Sequence, residues 1–446
     1  MYISADEISK TGSSPIYIQV YEHFRDDILK GDIKAGERLP SLRRLSKDLG
    51  VSITAVTMAY SQLTVEGYVT PKENSGYYVN DVATSLVNPK AATETEVTSP
   101  IEEEYIYDAR SFDFARWRKC LDRVLSDYSP YLLREGDPQG EYMLRREIAK
   151  YVYSSRGVTA AADQIVIAAG TQQITMQLAR LLRKTGIGHV ALEDPGYAPV
   201  GRAFSDSDFA VTRIPVESDG IVIEKLPANI SCACYVSPSN QFPTGAVMPI
   251  GRRQALLSWA RENNSLIIED DYDSELRYFG RPIPALQGLD NEGRVIYLGS
   301  FSSTLYPAVK ISYMVLPPDY AKLFTEMKNT YTQTCSVTEQ LTLALFMNEG
   351  LYASNIRKQR NLYSQKLAKI RECLKDYPVT LGAASSGVSI ILTADNSDDI
   401  LNRAVNLNLN MARIEGIDNS LILYYNQIPL DDIPRLINIL FKEEKL

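Results

Sequence analysis

From residue 105 onward, short apolar runs alternate with stretches of helical character, and this alternation constrains the fold more than any other feature. The runs are QIVIAAG, HVALED, SLIIED and RVIYLGS. Strands that are buried on both faces are apolar throughout, and parallel neighbours need a crossover connection, which is usually a helix. The pattern therefore predicts an α/β domain with a mainly parallel sheet.

Chain length and composition limit what else the protein can be. Its 446 residues are too many for one ordinary domain and suit two or three. No apolar run approaches the roughly 18–20 residues that span a bilayer, and the opening MYISADEISK lacks a secretory signal. The five cysteines are scattered without metal-ligand spacing. We therefore expect a cytoplasmic protein with free thiols, no metal site and no membrane contact.

Composition divides the chain into three zones. Residues 1–80 are dense in helix signals. Residues 81–104 are rich in Thr, Ser, Ala and Glu and have no hydrophobic period, which is typical of a linker. A flexible linker of this length has an r.m.s. span of about 25–30 Å. We therefore expect a small domain over 1–80, a linker over 81–104 and a large domain over 105–446.

The first zone is predicted to form three helices and a hairpin. A tight Gly-containing turn follows the second helix, and Ser52 caps a third helix on which Val56, Tyr60 and Leu63 face the core. Two short helices joined in this way make a helix-turn-helix, which places the N-terminus of its second helix in the major groove of DNA. The segment GYVTPKENSGYYV reads as the two strands of a wing. An ordinary three-helix bundle with a hairpin has the same periodicity.

Net charge by itself does not indicate DNA binding. The whole chain carries −8, and residues 1–80 carry nine Lys/Arg against ten Asp/Glu, a net charge of −1. Proteins that coat nucleic acid non-specifically are basic. Any DNA contact must therefore come from a local cluster of residues.

Three strings resemble the GntR family of winged-helix regulators: GERLPSLRRLSKDLGVS, AYSQLTVEGY and SGYYV. The resemblance implies contact with double-stranded operator DNA through Arg43, Arg44, Ser52, Ile53, Thr54 and Gly76. Gly76 would let the wing approach the DNA backbone. The family usually has Arg at position 53, whereas Ile53 can touch a thymine methyl group but cannot grip guanine bidentately. The operator is therefore expected to differ from the family's usual one.

Six further motifs resemble fold-type I aminotransferases in the form that is fused to GntR domains, the MocR regulators. They are GDPQG (136–140), AAGTQQ (168–173), EDPGY (193–197), SPSNQFPTG (237–245), IIEDDYDSELRY (267–278) and GSFSSTLYP (299–307). The resemblance covers about residues 130–430. It implies a fold-type I aminotransferase-like domain with a small C-terminal α/β subdomain from about residue 320, and a homodimer with its pocket at the subunit interface.

The same resemblance implies a site for pyridoxal phosphate. Residues implied at the phosphate are Gly170, Thr171, Gln172, Ser300 and Lys310. Residues 170–172 follow a strand and open a helix, so free N–H groups and the helix dipole can bind an anion there. Around the ring, Tyr197 would stack on it, Asp270 would pair with the pyridinium nitrogen, and Tyr272 would reach the ring hydroxyl.

Four departures from the family pattern affect this site. Ser303 stands where the family has its Schiff-base lysine, and a hydroxyl cannot form an imine. Lys310 replaces an arginine that binds phosphate, and Glu135 replaces a tyrosine that reaches the partner subunit's phosphate site. Aminotransferases hold the substrate carboxylate with an arginine entering the last strand, where this chain has DNSLILYY (418–425).

These observations leave three interpretations. The preferred one is a transcription regulator whose large domain binds a small-molecule effector without catalysis, through a pocket suited to a neutral or cationic flat ring on Tyr197 and Asp270. The second is a regulator that still binds pyridoxal phosphate, at most non-covalently. The third is an active aminotransferase with an added DNA-binding domain. Ser303 argues against the third, so we expect no catalytic residue and no enzyme activity.

Overall fold

In a computed structural model the chain forms two compact units, Met1–Glu102 and Glu103–Leu446. The structure describes residue 8 and residues 14–73, 75–82, 107–278, 283–382 and 386–441. Apart from residues 81 and 82, the predicted linker 81–104 lies outside the described residues. Across these ranges, no helix is both long enough and apolar enough to cross a bilayer.

The N-terminal unit has the predicted three helices followed by a hairpin. Its elements are α1 (Ile16–Lys30), α2 (Leu42–Leu49), α3 (Ile53–Val65), β1 (Val69–Lys72) and β2 (Gly76–Val79). The two strands pair antiparallel. Val56, Tyr60 and Leu63 are fully buried, which confirms the predicted core face of α3. The Ser52 hydroxyl accepts a hydrogen bond from the backbone N–H of Ala55 at 3.2 Å, so the predicted cap of α3 is also confirmed.

The second unit is built on an eight-stranded sheet. Its strands are β3 (Ile165–Ala169), β4 (His189–Asp194), β5 (Ala210–Glu217), β6 (Gly220–Ile221), β7 (Ala233–Val236), β8 (Leu266–Asp270), β9 (Val295–Ser300) and β10 (Ile311–Val315). Their order is β3-β10-β9-β8-β7-β4-β5-β6. Only β10 and the short β6 pair antiparallel with their neighbours, so the other six strands point the same way. The predicted mainly parallel sheet is confirmed.

Helices cover both faces of this sheet. They are α4 (Phe114–Asp127), α5 (Ser129–Leu132), α6 (Tyr142–Arg156), α7 (Gly170–Lys184), α8 (Ala198–Ser205), α9 (Ile250–Glu262), α10 (Pro318–Met327) and α11 (Val337–Asn348). Because side chains alternate along a strand, β3 supplies both layers. Ile165 and Ile167 join a core with α4, α6 and α11, whereas Val166 and Ala168 join a core with α7, α8 and α10.

A smaller sheet and three helices form the C-terminal part. They are α12 (Leu351–Cys373), β11 (Thr380–Leu381), β12 (Ser389–Thr393), α13 (Ser397–Asn406), β13 (Met411–Arg413), β14 (Ser420–Tyr424) and α14 (Ile433–Phe441). The four strands are antiparallel, in the order β11-β12-β14-β13.

The smaller core begins later than the sequence suggested. A start near residue 320 would include α10 and α11, but both pack into the cores of the large sheet. The boundary between the large-sheet core and the smaller core lies along α12. Tyr352 and Ile356 at its start belong to a large-sheet core, whereas Tyr363 and Leu367 belong to the smaller core. One continuous helix thus joins the two cores, and the subdomain begins within it.

Candidate functional site

The residues predicted to contact DNA are exposed on α2 and at the start of α3. Arg43, Arg44, Ser52, Ile53 and Thr54 all lie on the surface of the N-terminal unit. Ile53 is 45% exposed, which is unusual for a residue of this type and leaves its side chain open to a partner. The arrangement is compatible with the predicted surface, whose DNA contacts stay a prediction.

The hairpin adds two cations that the sequence analysis did not single out. Gly76 has a φ of +112°, and a Cβ there would lie 3.1 Å from Nε of Arg38. The absence of a side chain at Gly76 therefore leaves room for the Arg38 guanidinium. The Lys72 ammonium lies 4.5 Å from the ring centroid of Tyr78. Arg38 belongs to the string GERLPS, which carried the family resemblance without indicating this contact.

The predicted phosphate residues meet at one edge of the large sheet. Gly170, which follows β3 and has a φ of +80°, lies beside the side chain of Lys310, since a Cβ there would be 3.9 Å from the lysine Cδ. Ser312 of β10 pairs with Ser300 at the end of β9, and their hydroxyl oxygens are 3.1 Å apart. Thr171 and Gln172 form the first turn of α7. The topology thus brings these positions to a single corner.

Asp270 occupies the end of β8 and is buried. The hydroxyl of Tyr235, on neighbouring β7, donates a hydrogen bond to its Oδ2 at 2.5 Å. Burial is the main cause that raises the pKa of Asp270, to about 7; the hydrogen bond from Tyr235 opposes the change, and the negative charges of Asp271 and Asp273 add to it. The predicted ring partner is therefore a carboxyl group that takes up a proton near neutral pH.

Three aromatic rings line this region. The centroids of Tyr197 and Phe242 are 5.9 Å apart, those of Phe242 and Tyr272 are 6.2 Å apart, and both contacts are edge-to-face. Tyr197 is 45% exposed, so one part of its ring is free to meet a ligand. Burial and the charge of Asp270 raise the pKa of Tyr197, which places the phenol near that carboxylate.

Ser303, predicted to stand where the family has its Schiff-base lysine, lies near a second carboxylate, that of Asp273. The Ser303 hydroxyl and the backbone N–H of Val388 are both close enough to lower the pKa of Asp273. Asp273 is 7% exposed. Burial raises its pKa to about 6, and the Ser303 hydroxyl and the Val388 N–H oppose the change. A Cβ on Gly387 would lie 3.4 Å from Asp273 Oδ2 and 3.3 Å from Asn240 Nδ2, so the smaller subdomain approaches the site closely at that glycine.

A third carboxylate, Glu193, lies beside these two. It precedes the last residue of β4 and is 5% exposed. Its Oε2 accepts from the backbone N–H of Ser237 at 3.2 Å and from Nε2 of Gln241 at 3.3 Å. Burial raises the pKa of Glu193 to about 8, the two hydrogen bonds oppose the change, and the charge of Asp270 adds to it.

The last strand carries no arginine toward the site. Leu421 and Leu423 of β14 are buried in the smaller core. Tyr424 ends the strand beside the pocket, since burial and the charges of Asp273 and Tyr197 raise its pKa. Glu135 is exposed on the segment between α5 and α6, and its predicted role at a partner subunit stays a prediction.

The residues present fit only part of pyridoxal phosphate. At the corner where Gly170, Ser300 and Lys310 lie, a helix N-terminus and a cation could hold a phosphate. The position that the resemblance assigns to the Schiff-base lysine has a hydroxyl, close enough to Asp273 to lower its pKa. Since a hydroxyl cannot form an imine, the site does not fit a covalently held cofactor.

The sequence analysis gave no role to six residues of the site: Glu193, Tyr235, Asn240, Phe242, Asp273 and Tyr424. Four of them, Glu193, Asn240, Phe242 and Asp273, stand inside motifs that carried the family resemblance. Tyr235 and Tyr424 lie at strand ends outside those motifs, and only the strand order places them near the site.

Comparisons with known proteins agree with both units. Residues 16–79 match the family "Bacterial regulatory proteins, gntR family", and residues 102–411 match "Aminotransferase class I and II". The chain is 38% identical over 397 residues to the uncharacterized HTH-type transcriptional regulator YdeL of Bacillus subtilis, covering 86% of this chain and 85% of that protein. It is 32% identical over 428 residues to the probable rhizopine catabolism regulatory protein MocR of Rhizobium meliloti, covering 89% and 86%.

Among solved structures, a kynurenine aminotransferase of Pyrococcus horikoshii superposes with a TM-score of 0.65 at 26% identity, covering 76% of this chain and 88% of that one. That structure contains the cofactor form PMP. The likeness confirms the predicted fold-type I class of the second unit.

Proposed function

Because the chain belongs to the MocR-type helix-turn-helix transcriptional regulators, with a GntR unit and a class I and II aminotransferase unit, we propose that it senses a small molecule without Schiff-base chemistry. The N-terminal unit binds an operator in double-stranded DNA. The second unit binds the effector in the pocket around Asp270 and Ser303. The regulator acts in the cytoplasm, where its operator is, and it is not an enzyme.

The hydroxyl at position 303 is the observation that carries this proposal. Transamination by this fold needs a lysine amine to hold the cofactor and to move a proton, and the family resemblance aligns that lysine with Ser303, whose hydroxyl lies near the buried carboxylate of Asp273. The strand that would supply an arginine for a substrate carboxylate contributes Leu421 and Leu423 to the smaller core instead. Both replacements support a domain that binds its ligand without this reaction.

The exposed surface of α2 and α3 supports the DNA-binding half of the proposal. Arg43 and Arg44 are exposed in the first turn of α2, and Arg38 and Lys72 are exposed cations at the hairpin. Phosphate contacts from such cations fix the position of a helix in the groove, and residues 52–54 then face the base edges. The linker 81–104 and a homodimer, as fold-type I proteins form, complete the proposed architecture.

A titration with pyridoxal phosphate tests the effector half. The full chain is titrated with the cofactor while visible absorption is followed, and no band of a lysine-bound cofactor is expected. Gel-shift assays on DNA selected from a random pool test the other half, with expected loss of binding as salt rises. A stoichiometric visible band would contradict the first half, and failure to select any sequence would contradict the second.

A regulator that binds pyridoxal phosphate non-covalently is the second candidate. It is favoured by the corner where Gly170, Lys310 and Ser300 meet, since that corner can still hold a phosphate. Equilibrium dialysis separates the two candidates. Retention of pyridoxal phosphate by the protein without the visible band of a lysine-bound cofactor supports only this second candidate.

A further inference from the structure

Three buried carboxylates converge in the proposed effector pocket. Glu193 lies at the end of β4, Asp270 at the end of β8, and Asp273 in the loop that follows β8. Each is at most 8% exposed. The charge of Asp270 acts on Glu193, and the charge of Asp273 acts on Asp270, so the three form one electrostatic cluster.

Two oxygens of this cluster lack a donor. Glu193 Oε1 and Asp273 Oδ1 are buried and have no hydrogen-bond partner among the described residues. A buried oxygen without a donor costs about 1–3 kcal/mol, and more when it is charged. Both oxygens are therefore unsatisfied acceptors within the described chain.

The cations of the described residues are engaged elsewhere or lie outside the cluster. Nε of Arg156 is 2.7 Å from Oδ2 of Asp271, whose side chain is also hydrogen-bonded by Tyr297. Lys310 is exposed at the phosphate corner. None of the ion pairs between described residues includes Glu193, Asp270 or Asp273. No ion pair between described residues balances the cluster, so near neutral pH its carboxyl groups hold protons that a bound cation can replace.

The aromatic walls of the pocket and the spacing of its acidic residues favour an organic cation over a metal ion. Tyr197, Phe242 and Tyr272 are in ring contact, and Tyr424 lies close enough to Asp273 for that charge to raise its pKa. Aromatic faces attract cations and accept flat rings. In the described parts of the chain, no group of three acidic, histidine or cysteine residues has the spacing to hold a metal ion.

We propose that the effector is an organic cation with a planar N–H-bearing group, such as an aryl amidinium, which donates to Asp270 and Asp273 while its ring lies against Tyr197. A planar fork of N–H donors matches carboxylate geometry better than a single ammonium does. Ser303, which leaves the space of a lysine side chain unfilled, makes room for the cationic group. This inference rests on the proposed function, which makes this pocket the effector site.

Three ligands of one shape test it: benzamidine, its neutral analogue benzamide and its anionic analogue benzoate. Each is titrated into the full chain by calorimetry and in thermal unfolding. We expect benzamidine to bind at least tenfold more tightly than benzamide and to raise the melting temperature with concentration, and benzoate not to bind. No binding of benzamidine at millimolar concentration, or binding of benzoate as tight as that of benzamidine, would overturn the proposal.

Variants locate the binding. Asp273→Asn is expected to weaken benzamidine at least tenfold, while Glu262→Gln, an exposed carboxylate on α9, leaves its affinity unchanged. Ser303→Lys places an internal ammonium against Asp273 and is expected to displace benzamidine. An unchanged affinity of Asp273→Asn for benzamidine would overturn the proposal. If Asp273→Asn does not fold, an unchanged affinity of Ser303→Lys for benzamidine would overturn it.

DNA binding and visible absorption distinguish a failure of the proposed function from a failure of the cationic-effector proposal. A chain that selects DNA, shows no visible band with pyridoxal phosphate and yet prefers benzoate overturns only the cationic effector. A chain that selects no DNA or forms the band overturns the proposed function, whatever benzamidine does.

Discussion

The hydroxyl of Ser303 lies close enough to the carboxylate of Asp273 to lower its pKa, although the two residues lie on the loops that follow different strands. Ser303 follows β9 and Asp273 follows β8. These strands pair side by side and in parallel, so their ends meet at the same edge of the sheet. Ser303, at the position that the resemblance assigns to the catalytic lysine, therefore lies beside the carboxylate of Asp273.

Restoring the lysine alone is not expected to restore the cofactor site. In Ser303→Lys the new ammonium pairs with Asp273, and the phosphate corner keeps Lys310 without the planar arginine of the family. Titration of the variant with pyridoxal phosphate should give at most a weak visible band. Ser303→Ala, titrated in parallel, shows the background. A tight, stoichiometric band in Ser303→Lys would mean that the rest of the site is intact.

Arg43→Ala is expected to weaken operator binding by about 1–3 kcal/mol if the side chain makes a specific contact. The affinity is measured by gel shift at one fixed salt concentration. Lys30→Ala removes the same charge from an exposed position at the end of α1 and is the control. Equal losses in the two variants would indicate a non-specific charge effect and would contradict the assigned surface.

Ile53→Arg is expected to change the preferred operator. An arginine at the exposed start of α3 can donate two hydrogen bonds to guanine, whereas Ile53 can contact only apolar groups such as the thymine methyl. Selection from randomised DNA should enrich guanine at one position of each half-site in the variant. Identical selected sequences for the variant and the natural chain would place Ile53 away from the bases.

Stability should fall as pH rises from about 4 through 7. The pKa of Asp270 is raised to about 7 in the folded chain, so the folded state binds a proton more tightly than the unfolded state does. The contribution of Asp270 to the free energy of unfolding is fully present below the pKa that this group has in the unfolded chain. It is lost as the pH rises through the pKa that the group has in the folded chain. The groups that face it are Tyr235, Glu193, Asp271 and Asp273.

Asp270→Asn removes this titration. The decline in the free energy of unfolding between pH 5 and 8, measured by urea unfolding, should be smaller in the variant by about 1–3 kcal/mol. Glu262→Gln is the control. An unchanged decline in Asp270→Asn would show that Asp270 stays ionised throughout.

The proposed homodimer gives a direct hydrodynamic prediction. The mass of one chain is 49.9 kDa, and sedimentation velocity of the full chain at micromolar concentration should show a species of twice that mass. A single stable monomer would contradict the dimer and, with it, any role of Glu135 at a partner's site.

Local patterns predicted the parts of the molecule that depend on local physics. Helix periodicity placed Val56, Tyr60 and Leu63 in a core, and apolar runs indicated a sheet with both faces covered. Family motifs pointed to Gly170, Ser300 and Lys310, and strand order then explains why these distant segments meet at one corner.

Features that depend on distant packing could not be predicted in the same way. The amphipathic patterns of α10 and α11 show that each buries a face but not against which core, so the subdomain boundary was placed too early. Asp273 and Ser303 are 30 residues apart, and their contact depends on the pairing of β8 with β9. Tyr424 reaches the pocket only because β14 lies inside the smaller sheet.

The helix α12 begins in a core of the large sheet and ends in the core of the smaller one. A helix of 23 residues does not bend easily without a proline or glycine, and α12 contains neither. The smaller subdomain can therefore turn against the sheet only as a lever, about the anchored first turns. Gly387 of the smaller subdomain lies against Asp273 on the sheet side, so a ligand bound at Asp273 would meet both the sheet and the lever.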